Sequence, residues 1–259
     1  MTAQGDKATR LAELHTAPEI LRVVNVWDAV SAKAIADLPE TRAIATAGHS
    51  IAATFGYPDG EKIPLDTMLD MVGRIVTAVG DLPVAADLDS GFGDAGETVR
   101  RAIGVGVVGA NVEDRLRPLD EAVAAVEAII AAGAAEGVPF VLNARTDAFV
   151  RAQGRAAEES VADAIERGRA YLDAGATTVF VPGILDADVT RALVDGIGER
   201  KVSVIGLPGA LSAGEYEALG VARISYGPMT QRVALTALQD VAAELYRDGV
   251  IPESTRSLN

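Results

Sequence analysis

The sequence predicts an α/β fold: a (β/α)8 barrel of the TIM type with a short N-terminal helix in front of it, in a single domain over residues 1–259. Three observations predict this class. Eight short apolar runs alternate with eight helical segments, without a linker or a break in composition. The runs are apolar on both faces, which indicates parallel strands, and eight such units in 259 residues match one barrel. A doubly wound open sheet is the alternative, but it more often has fewer strands and a glycine-rich first turn, which residues 25–29 do not provide.

The strands are predicted from short runs of small or β-branched apolar residues. The first run is rich in isoleucine and valine, and the second and third are built largely from alanine. The predicted strands cover residues 20–26, 43–47, 84–89, 109–112, 140–143, 177–181, 202–205 and 222–225.

The helices are predicted where apolar residues recur at helical spacing, as Met68, Leu69, Val72 and Val76 do. Pro39 ends one of them, because proline cannot continue a helix, and the glycine at position 175 is a typical residue after a helix end. The predicted helices cover residues 6–16, 31–38, 66–79, 96–103, 119–135, 156–174, 187–194, 212–219 and 229–246. Residues 48–60 are predicted to form a loop.

The composition excludes several classes of function. The formal net charge is −14, which argues against nucleic acid or an anionic membrane as a partner, since both need a basic surface. The chain has no cysteine, so a disulfide, a zinc–thiolate site and a cysteine nucleophile are excluded. The N-terminus lacks a basic and then apolar signal pattern, and no apolar run reaches the length of a membrane span. We therefore expect a soluble, cytoplasmic protein.

Two carboxylates follow one of the predicted strands. Asp87 and Asp89 stand at alternate positions after Val84-Ala85-Ala86, and a glycine-rich turn follows them. Side chains at alternate strand positions share one face, so these two like charges need a cation or a proton between them. Mg²⁺ suits a site made only of oxygen ligands. The alternative is an Asx-type turn in which Asp89 is a solvated loop residue.

Polar side chains follow four other predicted strands as well. In a barrel, the carboxyl ends of the strands converge on one face, and that face carries the chemistry. The residues predicted to meet there are Trp27, Asp28, Gly48, His49, Ser50, Asp59, Asp87, Asp89, Glu113, Asp114, Arg145 and Asp147. Taken singly, Asp28 is explained equally well as a helix cap and Arg145 as the ion-pair partner of Glu113. Taken together, the carboxylates predict a metal site, and Arg145 suits a carboxylate ligand, which it can hold with two hydrogen bonds.

The two histidines are interpreted differently. His49 stands beside a strand end and is a candidate acid or base, although a histidine in that position is more often a packing residue. His15 lies in the leading helix and is predicted to be on the surface, as is Arg167 on a later helix.

Four motifs together resemble the isocitrate lyase/phosphoenolpyruvate mutase superfamily, in order and over residues 20–245. They are Gly56-Tyr57-Pro58-Asp59, Asp87-Leu88-Asp89-Ser90-Gly91-Phe92-Gly93, Val112-Glu113-Asp114 and Ala144-Arg145-Thr146-Asp147-Ala148. The resemblance implies the same eightfold barrel, often with the last helix exchanged between subunits, and hence a homo-oligomer, a dimer or a tetramer. It also implies Mg²⁺ and a small anionic 2-oxo acid, and the making or breaking of a C–C or P–C bond beside the carbonyl.

The resemblance also assigns roles to residues. Asp87 would be the direct metal ligand, and Asp59, Asp89 and Glu113 would hold metal-bound waters. Arg145 would bind the substrate carboxylate or its reacting end, and the backbone amides around Ala47, Gly48 and His49 would take the carboxylate. Trp27 and Asp28 complete the predicted substrate site, and the candidate catalytic residues are Asp59, Arg145 and His49.

The chain departs from the family pattern at the loop after the fourth strand. Lyases of the family carry a Lys-Arg-Cys-Gly-His loop there, and mutases and phosphonopyruvate hydrolases carry a longer loop with Lys and Asn or Thr. Here the sequence runs from Glu113-Asp114 through Arg115 and Arg117 directly into a helix. Further departures are Pro182-Gly183 and Gly206-Leu207 where polar residues are common, and Ala47 where a serine is common. The residues that match the family's metal site are all present, whereas the loop that closes the site and protonates the substrate is missing.

Three functions fit this pattern. The first is a Mg²⁺-dependent lyase that acts on a C–C bond of a small 2-oxo or 2-hydroxy acid through an enolate, which a chelating cation stabilises. The second is a phosphoenolpyruvate phosphonomutase or a phosphonopyruvate hydrolase, with Arg115 or Arg117 near the phosphoryl group. The third is a catalytically weak protein that binds 2-oxo acids.

Overall fold

The structure, a computed structural model, describes residues 2–258 and contains one parallel sheet. Its strand segments are β1 (Leu21–Val23), β2 (Asn25–Val26), β3 (Ile44–Thr46), β4 (Val84–Asp87), β5 (Gly109–Glu113), β6 (Val141–Arg145), β7 (Thr178–Phe180), β8 (Val202–Ile205) and β9 (Arg223–Ser225). The order in the sheet is β1-β9-β8-β7-β6-β5-β4-β3-β2. β1 and β2 are two parts of one strand that is interrupted at Val24. Because β1 pairs with β9 and β2 pairs with β3, the two edges of the sheet meet. The predicted eightfold barrel is confirmed, and the open-sheet alternative is wrong.

The helices surround this sheet. They are α1 (Ala3–Thr16), α2 (Ala29–Ala36), α3 (Gly48–Thr54), α4 (Leu65–Val79), α5 (Ala95–Gly104), α6 (Leu119–Ala135), α7 (Ala157–Asp173), α8 (Ala187–Ile197), α9 (Ala213–Ala218) and α10 (Met229–Asp248). The expectation of a continuous loop over residues 48–60 is wrong, because α3 occupies its first half. That helix has seven residues, follows β3 directly, and has no side-chain cap on its first turn, so it lacks the usual start signal.

Helix α1 lies across the amino ends of the strands and closes that end of the barrel. Gln4 donates hydrogen bonds to the carbonyls of Ile103 and Val107, in the segment that leads into β5. Leu11 is buried against the start of the same strand, where a side chain in place of Gly109 would come within 2.8 Å of it. The site must therefore be sought at the opposite end.

His15 is buried at the end of α1, so its predicted place on the surface is wrong. Its Nδ1 donates to the Leu11 carbonyl over 2.8 Å, and Nε2 has no partner among residues 2–258. Burial, and then the positive charge of Arg223, lower the pKa of His15 to about 3. The folded chain therefore holds this imidazole neutral.

Polar side chains fill the middle of the barrel and fix its strands to one another. The Asn143 amide donates to Asn111 Oδ1 (2.7 Å) and to Ser203 Oγ (3.3 Å), and Thr178 donates to its oxygen. Asn25 accepts from the backbone of residues 226 and 227 and donates to the Thr46 carbonyl, so it connects the first strand to both neighbours. This layer forms a rigid floor under the carboxyl ends of the strands.

The last helix packs on the barrel through its first turn. Gln231 is its one buried residue within residues 2–258, whereas Val233, Leu238 and Tyr246 expose more than half of their surface. Exchange of α10 between subunits stays a prediction. No helix in the described part of the chain is long and apolar enough to cross a bilayer.

Candidate active site at the carboxyl ends of the strands

A cavity of about 840 Å³ opens at the carboxyl ends of the strands. Asp87, Glu113, Arg145, Phe180, Ile205 and Ser225 are each the last residue of a strand, and all of them line it. The other polar residues on its wall are Asn25, His49, Asp59, Asp89, Asn111, Arg115, Asp147, Arg151, Gln153 and Arg232. Seven predicted site residues thus share one cavity, namely His49, Asp59, Asp87, Asp89, Glu113, Arg145 and Asp147. Their roles stay predictions.

Asp87 is held by the neighbouring strand end. Its backbone amide donates to Thr46 Oγ1 (3.0 Å), and its Oδ2 accepts from the amide of Gly48 (2.8 Å). A Cβ at position 48 would stand 3.3 Å from the same carboxylate, a tight contact, so the close approach favours glycine. The Ala47 amide donates to the Val26 carbonyl. Two of the three amides predicted for the substrate carboxylate are therefore already engaged, and their use by a substrate stays a prediction.

Four carboxylates converge without enough positive charge between them. Burial raises the pKa of Asp87 and of Glu113 above their ordinary values. Burial, and then the charges of Asp87 and Asp59, raise the pKa of Asp89 to about 8. The arrangement therefore favours a proton or a cation among these oxygens.

The donor set fits magnesium. All four groups are hard oxygen ligands, which Mg²⁺ prefers. Within residues 2–258, no three His, Asp or Glu side chains come close enough together to hold a metal ion by direct contact alone. Mg²⁺ commonly keeps several waters and takes only one or two carboxylates directly, so a Mg²⁺ site does not need three side chains in direct contact with the ion. Asp87 as the direct ligand and Asp59, Asp89 and Glu113 as water-mediated ligands stay predictions.

Arg145 is fixed between two acids. Its Nη1 lies 2.8 Å from Glu113 Oε2, and its Nε donates to Asp147 Oδ1 over 2.8 Å. The other oxygen of the buried Asp147 accepts from Arg151. Burial alone would lower the pKa of the Arg145 guanidinium. The negative charges of Glu113 and Asp147 have a larger effect in the opposite direction, so the pKa is raised. The simple interpretation of Arg145 as the partner of Glu113 is correct as geometry, and the guanidinium still faces the cavity.

His49 stands in the first turn of α3 beside Asp59. Its Nδ1 lies 3.3 Å from Asp59 Oδ2, and both side chains are partly exposed. With the carboxylate beside Nδ1, Nε2 is the nitrogen left for proton transfer. The pair can act as an acid or a base at the mouth of the cavity.

Trp27 and Asp28, like Ala47 and Gly48, are predicted substrate residues that do not line the cavity. Asp28 caps α2, because its side chain accepts from the Ser31 amide (2.7 Å) while Ser31 Oγ accepts in return from the backbone of Trp27 and Asp28. The helix-cap interpretation of Asp28 is confirmed. Trp27 packs against the apolar core. A substrate role for either residue stays a prediction that this geometry does not support.

Asp114 faces away from the cavity and toward α7. It accepts from the amides of Leu116 and Asp147, from the Tyr171 hydroxyl (2.6 Å) and from Arg167 (3.2 Å). Arg167 is therefore largely buried, and its predicted solvated position is wrong. These bonds hold the turn after β5 against the end of β6.

Sequence reasoning did not predict six polar residues of the wall, which are Asn25, Asn111, Arg151, Gln153, Ser225 and Arg232. Asn111 lies two positions before Glu113 on β5, so strand periodicity could have found it. Arg151 and Arg232 lie in a loop and in the first turn of α10, where no local signal identifies them. Arg115 was considered only for the phosphonate enzymes, and it reaches the cavity through a tight turn in which it and Leu116 have φ values of 50° and 53°.

A barrel with carboxylates and arginines gathered at the carboxyl ends of its strands has the architecture of an enzyme active site. The sequence profile described as phosphoenolpyruvate phosphomutase matches residues 11–246. The chain belongs to the isocitrate lyase/phosphoenolpyruvate mutase superfamily, which confirms the resemblance.

Three relatives illustrate the range of this family. A Corynebacterium glutamicum protein, provisionally named 2-methylisocitrate lyase 1, is 32% identical over 90% of this chain and 79% of its own length. An oxaloacetate decarboxylase of Rhodopseudomonas palustris is 29% identical over 92% of this chain and 84% of its own. A Burkholderia cenocepacia crystal structure, provisionally described as a phosphonomutase, has a TM-score of 0.86 and 38% identity over 92% of this chain and 99% of its own. The chain is therefore an enzyme of the lyase and phosphonomutase kind.

Proposed function

We propose that this protein is a Mg²⁺-dependent lyase that cleaves a C–C bond of a small 2-oxo or 2-hydroxy carboxylic acid through an enolate. The observation that carries the proposal is the meeting of Asp59, Asp87, Asp89 and Glu113 with Arg145 in one cavity. Relatives named as a methylisocitrate lyase and an oxaloacetate decarboxylase support the same chemistry.

Asp87 would bind the cation directly, and Asp59, Asp89 and Glu113 would hold its waters. When bound, Mg²⁺ supplies a Lewis acid that polarises the 2-oxo group and stabilises negative charge on its oxygen. The carboxylates fix the position of that positive charge before the substrate arrives, which is how a rigid site lowers a barrier.

Arg145 orients the substrate. Asp147 holds its Nε, and Glu113 holds a second nitrogen, so the guanidinium enters the reaction with little freedom left. A fixed guanidinium binds a carboxylate with two parallel bonds and sets the angle of the bond to be cleaved.

His49 would move the proton. Asp59 lies beside its Nδ1, so Nε2 would hold or release the proton that converts an enolate into a keto acid. This assignment replaces the cysteine that lyases of the family carry on a loop, since the chain has no cysteine.

A phosphonate enzyme, either the phosphonomutase or the hydrolase, is the second candidate, and one observation favours it. Arg115 lines the cavity, where it could meet a phosphoryl group. Arg117 instead donates to the backbone carbonyls of Glu113 and Asp114 and is not available. The weak 2-oxo acid binding protein remains the third candidate. In each case the partner is a small anion, not a nucleic acid or a membrane, and the protein acts in the cytoplasm as a homo-oligomer.

One experiment separates these candidates. The protein is incubated with oxaloacetate, 2-methylisocitrate or phosphonopyruvate, with Mg²⁺ or with EDTA. Pyruvate from either of the first two supports the lyase, phosphoenolpyruvate from the third supports the mutase, and pyruvate with phosphate supports the hydrolase. Mg²⁺ alone and the Asp87→Ala variant serve as controls, because oxaloacetate decarboxylates slowly with free cations. Mg²⁺-dependent binding of oxalate without any turnover would leave only the binding protein.

A further inference from the structure

Glu61 occupies an unusual place beside the candidate active site. It lies in the loop between α3 and α4, two residues after Asp59, and its side chain is only 15% exposed. Its φ of 64° lies in the left-handed region that residues other than glycine rarely adopt. A buried charged side chain on a strained loop residue calls for a specific set of partners.

Its two carboxylate oxygens contact two other loops. Oε1 accepts from the Ser90 amide (3.0 Å), the Ser90 hydroxyl (2.8 Å) and the Phe92 amide (2.7 Å). Oε2 lies 3.2 Å from Nη2 of Arg115. One side chain thus connects the loop after α3, the loop after β4 and the turn after β5.

Each of these loops carries one of the predicted metal-water carboxylates. Asp59 shares the loop of Glu61, Asp89 directly precedes Ser90, and Arg115 donates from its Nε to Glu113 (3.1 Å). The Glu113 amide in turn donates to the Asp89 carbonyl over 2.7 Å. Glu61 is therefore connected to Glu113 through Arg115 and to Asp89 through Ser90, and it lies in the same loop as Asp59.

Backbone strain gathers at the same place. Besides Glu61, the non-glycine residues with left-handed φ include Asp89 (46°), Phe92 (49°), Arg115 (50°) and Leu116 (53°). Such conformations cost about 1–3 kcal/mol each and persist only where the surroundings determine them. Glu61 contacts two of these four residues, Phe92 and Arg115, and it also bonds to Ser90, which directly follows Asp89. These contacts help to hold the left-handed conformations in place.

We infer that Glu61 is a positioning residue that holds the loops of Asp59, Asp89 and Glu113 at the separations needed to share one hydrated cation. The inference rests on the proposed function for its metal. Glu61 touches neither substrate nor cation itself. The competing possibility is that Glu61 contributes only to overall stability.

The first test needs no metal. Hydrogen exchange is measured by NMR on the metal-free full-length protein and on Glu61→Ala, Glu61→Gln and the control Lys62→Ala, whose exposed side chain is next in the chain. Glu61→Ala should speed exchange of the Ser90 and Phe92 amides at least about tenfold while α7 and α8 stay unchanged. Glu61→Gln keeps an acceptor oxygen, so it should protect those amides and release only Arg115. Uniform acceleration throughout the protein, or none, would overturn the inference.

The second test measures Mg²⁺ affinity by calorimetry in the presence of oxalate. We expect Glu61→Ala to weaken Mg²⁺ binding about tenfold or more, as loss of an outer partner does at metal sites. Ser90→Ala, which removes one of the three bonds to Oε1, should weaken it less, and Lys62→Ala should match the wild type. Wild-type affinity in Glu61→Ala would refute the positioning role. A wild-type protein that binds no Mg²⁺ would instead refute the proposed function, and the exchange data would then decide alone whether Glu61 holds the loops.

Discussion

The two ends of the barrel carry different kinds of side chain on the same strands. At the amino ends, α1 covers the interior with apolar contacts, and the one ionisable group buried there in α1, His15, is kept neutral. At the carboxyl ends, charged residues run in an alternating chain from Glu61 through Arg115, Glu113, Arg145 and Asp147. We infer from this difference that the amino end of the barrel contributes mainly to stability and the carboxyl end to ligand binding and chemistry. Substitutions at the two ends should therefore affect different measurements.

The largest effect is expected at the carboxyl end, from Asp87→Ala. This variant should lose measurable Mg²⁺ binding, because it removes the only carboxylate proposed to contact the cation directly. The fold should be retained, since the side chain makes a single hydrogen bond, to the Gly48 amide. Calorimetry and circular dichroism measure the two properties.

The matched control is Asp81→Ala, an exposed aspartate just before the amino end of the same strand. It should bind Mg²⁺ as the wild type does. Unchanged Mg²⁺ affinity in Asp87→Ala would show that the cation site has been misplaced.

The amino end is tested by pH. The pKa of His15 is about 3 in the folded chain against an ordinary value of 6.5, so only the unfolded chain takes up this proton between those values. Stability should therefore fall as the pH drops from about 6.5 toward 3, by about 1.4 kcal/mol per pH unit, or about 2 kcal/mol at pH 5. Urea unfolding at pH 7.5 and pH 5 of the wild type and of His15→Gln measures this contribution.

All other titrating groups are common to the two proteins, so their contributions cancel in the comparison. The wild type should lose about 2 kcal/mol more than His15→Gln on acidification. Parallel losses would mean that His15 is protonated in the folded chain. Mg²⁺ affinity at pH 7.5 should be equal in both proteins.

Much of this division could be predicted from the sequence, because both the strands and their ends are local features. Asp87, Glu113 and Arg145 end apolar runs, and the carboxyl ends of parallel strands must meet in a barrel. Asp89 reaches the cavity as predicted, although by a left-handed turn with φ of 46° and not by continuing the strand.

The remaining features depend on partners far apart in the chain. Glu61 contacts Ser90 and Arg115, which are 29 and 54 positions away in the sequence. Arg167 bonds to Asp114, which is 53 positions away. His15 is buried only because α1 folds across the barrel end. No local pattern carries that information, so the sequence predicts the candidate ligating groups but not the residues that hold them in place.

A smaller effect is expected from Arg145→Lys. A lysine keeps the charge but cannot form the planar pair of bonds to a carboxylate, so oxalate should bind about tenfold more weakly in the presence of Mg²⁺. Mg²⁺ affinity itself should change little. Calorimetry with each ligand in turn separates the two effects, with Arg74→Lys on an exposed helix face as the control. Equal oxalate affinity in Arg145→Lys and the wild type would argue against Arg145 as the anion-binding group.

The smallest effect is expected from Gln4→Ala at the amino end. Gln4 donates to the Ile103 and Val107 carbonyls over 2.9 and 3.1 Å, and its truncation to alanine removes both of these partly buried bonds. We expect a loss of about 1 kcal/mol in the free energy of unfolding, the usual net contribution of such bonds. Mg²⁺ and oxalate affinities should stay at the wild-type values, because the carboxyl ends are fixed by the polar layer around Asn143 and not by α1. A weaker Mg²⁺ affinity in Gln4→Ala would mean that the two ends are coupled, and the division along the barrel axis would have to be abandoned.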